Sequence, residues 1–179
     1  MARYVCHKSD WGAMATIAIR DPIVGFPFAN VFSLSDGPTN ESSGVPYIYA
    51  TPWEISFHDL RADPRASITM SLAEVVSSPI PSNPPQGSYC REHQLDPEDP
   101  RCAHIILTGT ILAVAEDSEE REFAEHALFS RHPAMLDWPK DHGWFIAKLN
   151  ISNILLLDYF GGAVTIPVEE YFTATVDPQ

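Results

Sequence analysis

Hydrophobic and polar positions along the 179-residue chain alternate in short runs broken by proline, glycine and aspartate. The first residues predict a short N-terminal helix, closed by a turn at Ser9-Asp10-Trp11-Gly12. Ala13 to Ile19 is apolar and partly β-branched, the pattern of a buried strand, and Arg20-Asp21-Pro22 ends it. Phe28 to Leu34 forms a second strand, followed by turn chemistry at Ser35-Asp36-Gly37-Pro38. Gly44-Val45-Pro46 opens a third, Tyr47 to Ala50. Thr51-Pro52-Trp53-Glu54 reads as a helix start, with Thr51 as cap, Pro52 at the first helical position and Glu54 completing a capping box. That helix should run to about Arg61 and stop before Asp63-Pro64. Arg65 to Ala73 alternates as a strand.

Residues 75–101 break the pattern with six prolines, several serines and several acids. A structureless stretch of this length inside a compact domain is often functional. His104 to Ala115 resumes strand character, with Gly109 marking a bulge. Ser118-Glu119-Glu120 opens a helix with acids at its positive end, and Phe123, Ala124, Ala127, Leu128 and Ser130 form its inner side. His132-Pro133 ends it. Phe145 to Leu149 and Asn153 to Tyr159 are the last strands, Phe160-Gly161-Gly162 is a turn, and Glu169 to Thr173 forms a terminal helical turn. About six strands and two good helices, with strands arriving as neighbours and not as βαβ units, indicate an α+β fold built on a small, mainly antiparallel barrel. The length fits one domain, residues 1–179, with 75–101 as a proline-rich insertion.

Charge narrows the partners. Eleven lysines and arginines against twenty-four acids leave a formal charge of −13. Phosphate backbones and anionic membranes both call for clustered cations, so direct nucleic-acid binding is excluded. No apolar run approaches the ~20 residues that span a bilayer, which excludes membrane insertion by a helix. The first residues contain no signal-peptide core. The chain is therefore cytosolic, or it starts after a removed signal. Asn40-Glu41-Ser42 and Asn150-Ile151-Ser152 are glycosylation acceptor patterns and favour the second alternative.

Three chemistries need weighing. Cys90-x-x-His93 with Cys102-x-His104 has spacing permissible for zinc. The competing reading joins Cys90 to Cys102 in a disulfide, worth ~3 kcal/mol on the chain-entropy model, and redox compartment decides between them. Cys6 is then the odd cysteine, a buried free thiol. Ser35 lies in a weak likeness of a nucleophile elbow, but Ser33 stands where that turn needs glycine, so a hydrolase is disfavoured. Trp11, Trp138, Trp144, Tyr159 and Phe160 could line a ligand or partner surface, although aromatics also dominate cores and dimer interfaces.

The third chemistry is a flavin-phosphate site. Phe28 to Leu34, Gly44 to Ala50, the capped helix and Asp63-Pro64-Arg65-Ala66-Ser67 together resemble the FMN-binding split-barrel superfamily (pyridoxamine-phosphate-oxidase-like). In flavin-binding relatives the stretch matching Ser56-Phe57-His58-Asp59 supplies cofactor ligands. Here His58 stands where arginine is expected, and the acid Asp59 follows it. A carboxylate beside a phosphate is repulsive, so the resemblance implies a retained frame with a disarmed phosphate grip. No cofactor is therefore expected. The alternative, an FMN-dependent oxidoreductase, would have to draw cations from Arg61, Arg65 and Lys148.

A closer resemblance rests on five ordered motifs: Ser9 to Ala13, Phe32 to Gly37, Gly44 to Tyr47, Arg131-His132-Pro133 and Leu157 to Gly162. Over nearly the whole chain they are similar to the CREG family, named as cellular repressors of genes stimulated by a viral early protein. That resemblance implies secreted or endolysosomal (lysosomal) glycoproteins, homodimeric and without established catalysis, linked to growth control and differentiation. Sorting or cell-surface receptors are the partners it suggests. In the family a loop occupies the place of flavin, and residues 75–101 are the candidate, with an extra stretch around Ser77 to Ser88. The segment Cys90 to Cys102 fits the family, Asn150 matches a family glycosylation position, and Asn40 has no clear counterpart.

Overall fold

The computed structural model describes residues 1–75, 88–159 and 162–176. The chain runs α1 (Ala2–Lys8), β1 (Trp11–Ile17), β2 (Pro27–Ser33), β3 (Tyr47–Ala50), α2 (Ile55–Ala62), β4 (Arg65–Ser71), α3 (Tyr89–Glu92), β5 (His104–Ala113), α4 (Glu119–Arg131), β6 (Phe145–Leu157), β7 (Ala163–Ile166) and α5 (Val168–Thr173), with two 3₁₀ turns between α4 and β6. The strands form one antiparallel sheet in the order β2-β1-β4-β5-β6-β3, and β7 adds to the far half of β6.

The sheet curls far enough for its two ends to meet. Ser35, just past β2, and Tyr47, at the start of β3, exchange backbone hydrogen bonds of 3.2 and 2.9 Å. This single bridge joins the two ends of the sheet and closes the ring. Met14, Ile68, Leu107 and Ile154 lie at successive paired positions of β1, β4, β5 and β6 and are fully buried, so they form one layer of the interior. Helices α1 and α5 contribute Val5, Cys6 and Tyr171 to this core. A second cluster lies outside the ring, where α4 packs Ala124, Ala127 and Leu128 against Tyr47 and Ile146.

Several sequence expectations shift. Trp11 and Gly12 belong to β1 and not to a turn, because their register with Ser33 and Phe32 extends the β1–β2 ladder. The two C-terminal strands are one strand of 13 residues, β6. The register of β5 against β6 slips beside Gly109, where Thr108 faces Asn153 and Gly109 faces Ile151, so Ser152 is the extra residue. The bulge is where expected, but it adds its residue to β6. Glycine is required there because a Cβ would meet the Asn150 carbonyl oxygen at 2.0 Å.

The cap of α2 is Glu54, not Thr51. Its carboxylate accepts from the Ser56 and Phe57 amides at 2.7 and 3.2 Å, and the helix starts at Ile55. Thr51 instead donates to the His142 carbonyl at 2.6 Å, so its hydroxyl ties the loop down and Pro52 stays outside the helix. Ser118 caps α4 as its position implies. Within 75–101, Tyr89–Glu92 forms a short helix, so the insertion is not wholly irregular. Residues 76–87, including most of the extra stretch around Ser77 to Ser88, lie outside the described residues, as do Phe160 and Gly161 of the predicted turn.

Candidate functional site

The four residues matching the flavin-phosphate stretch lie on the first turns of α2. Ser56 is fully buried and Phe57 nearly so. Phe57 meets Phe32 and Phe145 edge-to-face at ring separations of 5.9 and 5.5 Å, so its side chain belongs to the barrel interior. His58 is exposed. Asp59 is completely buried. Its two oxygens accept from the same Arg20 nitrogen, each at 2.9 Å, from the Ile19 amide at 3.1 Å and from the Thr16 hydroxyl at 3.1 Å. Burial alone would raise the Asp59 pKa. The hydrogen bonds from Arg20, Ile19 and Thr16 outweigh it and hold the carboxyl below the usual carboxylate range. Arg20 also lies over the Phe28 ring, 4.0 Å from its centroid. Asp59 therefore fastens the β1–β2 connection to α2.

The three cations named as phosphate candidates all carry partners. Arg65 is ion-paired with Asp63 on the surface. Lys148 is paired with Glu120 of α4. Arg61 donates to the Pro52 carbonyl at 3.0 Å, beside an apolar slot of about 260 Å³ that includes Phe57, Ile111 and Phe145.

Cys90 and Cys102 form a disulfide, with Cα atoms 5.3 Å apart. No thiolates remain for zinc at this position. His93 stacks on Tyr89 at 3.9 Å, and the His104 ring is 3.2 Å from the Cys102 carbonyl. Cys6 is free and buried, and desolvation, with the Asp36 charge adding to it, pushes its thiol pKa far up. Ser35 is fully buried and bonds within its own turn, donating to the Gly37 carbonyl at 2.9 Å, which leaves it no nucleophilic role.

Two arrangements were not legible in the sequence. One is a buried polar tie: His7 Nδ1 lies 2.7 Å from Asp36, Asp36 accepts from Ser42 and the Gly44 amide, and Arg3 donates to Ser42 and to the Phe172 carbonyl. It fastens α1, the 36–44 loop and α5 together. The other is the outward face of the sheet. Alternation along β1, β2, β4, β5 and β6 turns Ala13, Ala15, Val31, Thr69, Ile106 and Leu155 outward, and Val31, Ala13, Thr69, Ile106 and Leu155 are aligned across five strands. All are partly or fully exposed, and Val31 is 60% exposed. None carries a charge. At the end of this face, Trp11, Ser71 and His104 border a cavity of about 860 Å³, whose other wall comes from the turn after β4 and the disulfide-closed segment.

Of the predicted aromatics, Trp138 and Trp144 cluster with Tyr49, with ring separations of 5.9 and 4.9 Å, away from Trp11. Tyr159 is exposed. Both acceptor asparagines, Asn40 and Asn150, are exposed, Asn40 in the 36–44 loop and Asn150 on β6.

The fold is shared with solved structures. A heme binding protein from Mycobacterium smegmatis superposes with a TM-score of 0.72 at 19% identity, covering 99% of this chain and 60% of that one. In sequence, the chain is 48% identical to Protein CREG1 of Homo sapiens over 176 residues, 98% of this chain and 74% of the human protein. It is 49% identical to Protein CREG1 of Gallus gallus over 174 residues, 96% of this chain and 83% of the relative. The family model described as CREG, beta-barrel, matches residues 1–173, and with these identities the chain belongs to the CREG family.

Proposed function

We propose that this chain acts by binding and not by catalysis, as a homodimeric glycoprotein of the secretory or endolysosomal route with a disarmed flavin site. The observation that carries this reading is the use made of the α2 residues: Ser56, Phe57 and Asp59 are all spent on holding the barrel together. A flavin phosphate needs unpaired cations and free amide donors. Here the α2 amides of Ser56 and Phe57 already donate to Glu54, and Arg65 and Lys148 are neutralised by Asp63 and Glu120.

The uncharged outward face supports the homodimer. A row of alanine, valine, threonine, isoleucine and leucine is easily desolvated, as the centre of a protein interface requires. With a net charge of −13, two copies repel unless their contact patch is free of acids, and this face meets that condition. The exposed Asn150 and the disulfide support an oxidising, glycosylating compartment. Growth control and differentiation, exerted through sorting or cell-surface receptors, is the role that family membership suggests.

An absorbance spectrum of the purified protein followed by an FMN titration tests the central clause. A colourless protein without saturable FMN binding up to about millimolar is the expected result. Yellow protein, or micromolar binding, would instead make the chain a flavin-dependent oxidoreductase. Light scattering on the same sample is expected to report twice the chain mass, and a monomer at micromolar concentration would remove the dimer clause.

A further inference from the structure

The apolar slot beside Arg61 lies between α2 and the adjoining ends of β5 and β6. Its buried lining is Phe57 and Leu60 of α2 with Ile111 of β5. Phe145 of β6 is partly buried there, and the exposed Ala113 marks the rim. Among the described residues, Arg61 is the one charged side chain that lines the slot. The chain carries a formal charge of −13, yet no acid borders this space. Arg20, Arg65, Arg101, Arg121 and Arg131 are all paired with carboxylates. Arg61 enters no ion pair among the described residues, and its polar partner is a neutral group, the Pro52 carbonyl, which accepts from Nη2 at 3.0 Å.

We propose that this slot binds a small monocarboxylate with an apolar tail, the carboxylate on Arg61 and the tail against Phe57, Leu60 and Ile111. A guanidinium has five donors, and the Pro52 carbonyl takes one of them. That contact also holds the side chain at the rim, so less rotamer freedom is lost when a ligand binds. The tail leaves water for an apolar lining, which is the favourable term that the exposed ion pair by itself does not supply. An amine would meet the positive charge of Arg61 and no acid.

Size and charge both limit the occupant. At about 260 Å³ the slot is below the ~300–1,000 Å³ of sites for drug-sized ligands, so a short aliphatic or single-ring acid suits it better than a flavin. A phosphate dianion calls for more than one cation, and only Arg61 is present. The slot also shares no residue with the aligned outward row from Val31 to Leu155, so a second copy seated on that row leaves these lining residues free. The inference therefore goes beyond the disarmed flavin site: it assigns a different ligand class to neighbouring side chains.

The test uses the intact, disulfide-bonded protein with octanoate as probe and octylamine as its cationic counterpart, titrated by calorimetry at about pH 7. Octanoate should saturate with a Kd of about 1 mM or below, and the amide signals of Leu60, Arg61 and Ala113 should shift in step with it. Arg61→Gln should weaken binding by roughly fivefold, with circular dichroism confirming an unchanged fold, and Arg61→Lys should recover part of the loss. Ala113→Phe, at the exposed rim, should block the slot and abolish saturation. FMN should not displace the probe. Equal affinity for octylamine, an unchanged affinity in Arg61→Gln, displacement by FMN, or no saturation by about 10 mM octanoate would each overturn the proposal. A failure of octanoate alone leaves the FMN titration above to decide the flavin clause, so the two readings fail separately.

Discussion

Asp59→Ala separates a structural acid from a remnant of a ligand site. In the native chain the buried carboxylate satisfies the Ile19 amide, the Thr16 hydroxyl and the Arg20 guanidinium. Removing it strands all three. Breaking a buried ion pair costs about 3–5 kcal/mol. Arg20 keeps 26% of its side-chain surface in water and can turn outward, so part of that cost is recovered, leaving about 2–4 kcal/mol. Urea unfolding with the disulfide intact measures this directly, as a lower midpoint at constant slope.

The pH dependence follows from the same geometry. Asp59 has a folded pKa below its unfolded value of about 3.9. The stability it contributes is thus fully present above about pH 4 and is lost as pH falls through the folded pKa. Asp59→Ala should erase that part of the acid transition. In an Asp59/Arg20 double-mutant cycle, the second substitution should cost much less than it does alone. A loss below about 1 kcal/mol, or an FMN affinity that appears in Asp59→Ala without loss of stability, would refute the structural assignment.

Three further outcomes are expected. Gly109→Ala should cost about 1–3 kcal/mol or more of stability, read as a lower urea midpoint, because its Cβ would meet the Asn150 carbonyl at 2.0 Å; an unchanged midpoint would mean that the bulge can move. Cys90→Ser with Cys102→Ser should cost about 3 kcal/mol, and intact mass under non-reducing conditions should show the wild-type chain two hydrogens lighter than its reduced form. Val31→Arg should halve the mass seen by light scattering without altering thermal stability of the separated chain, since Val31 is 60% exposed in the single chain; retention of the dimer would move the interface elsewhere.

Local rules read the barrel well because each strand carries its own period and each break its own turn residues. The β1, β2, β4 and β5 segments and the Ser118 cap are all decided by neighbours within a few positions. The sequence predicts two C-terminal strands because Asn150 to Asn153 reads as a polar break, whereas β5 pairs through it and absorbs Ser152 as a bulge. Thr51 is a cap by residue type, but its hydroxyl donates to the His142 carbonyl, 91 residues away, and Glu54 caps the helix.

What the chain determines by itself is therefore its alternation, its caps, its charge and the ordered motifs that mark its family. What only the tertiary structure decides is which groups meet. Asp59 reads as a repulsive acid in a phosphate loop, yet the fold brings Thr16, Ile19 and Arg20 to it from the β1–β2 connection. The spacing of Cys90 and Cys102 is compatible with zinc or a disulfide, and the fold decides for the disulfide by bringing their Cα atoms to 5.3 Å. The uncharged outward face has no linear signature, because its residues are single positions on five strands aligned by register. Periodicity acts over a few residues, but burial and pairing depend on groups that the sequence places far apart.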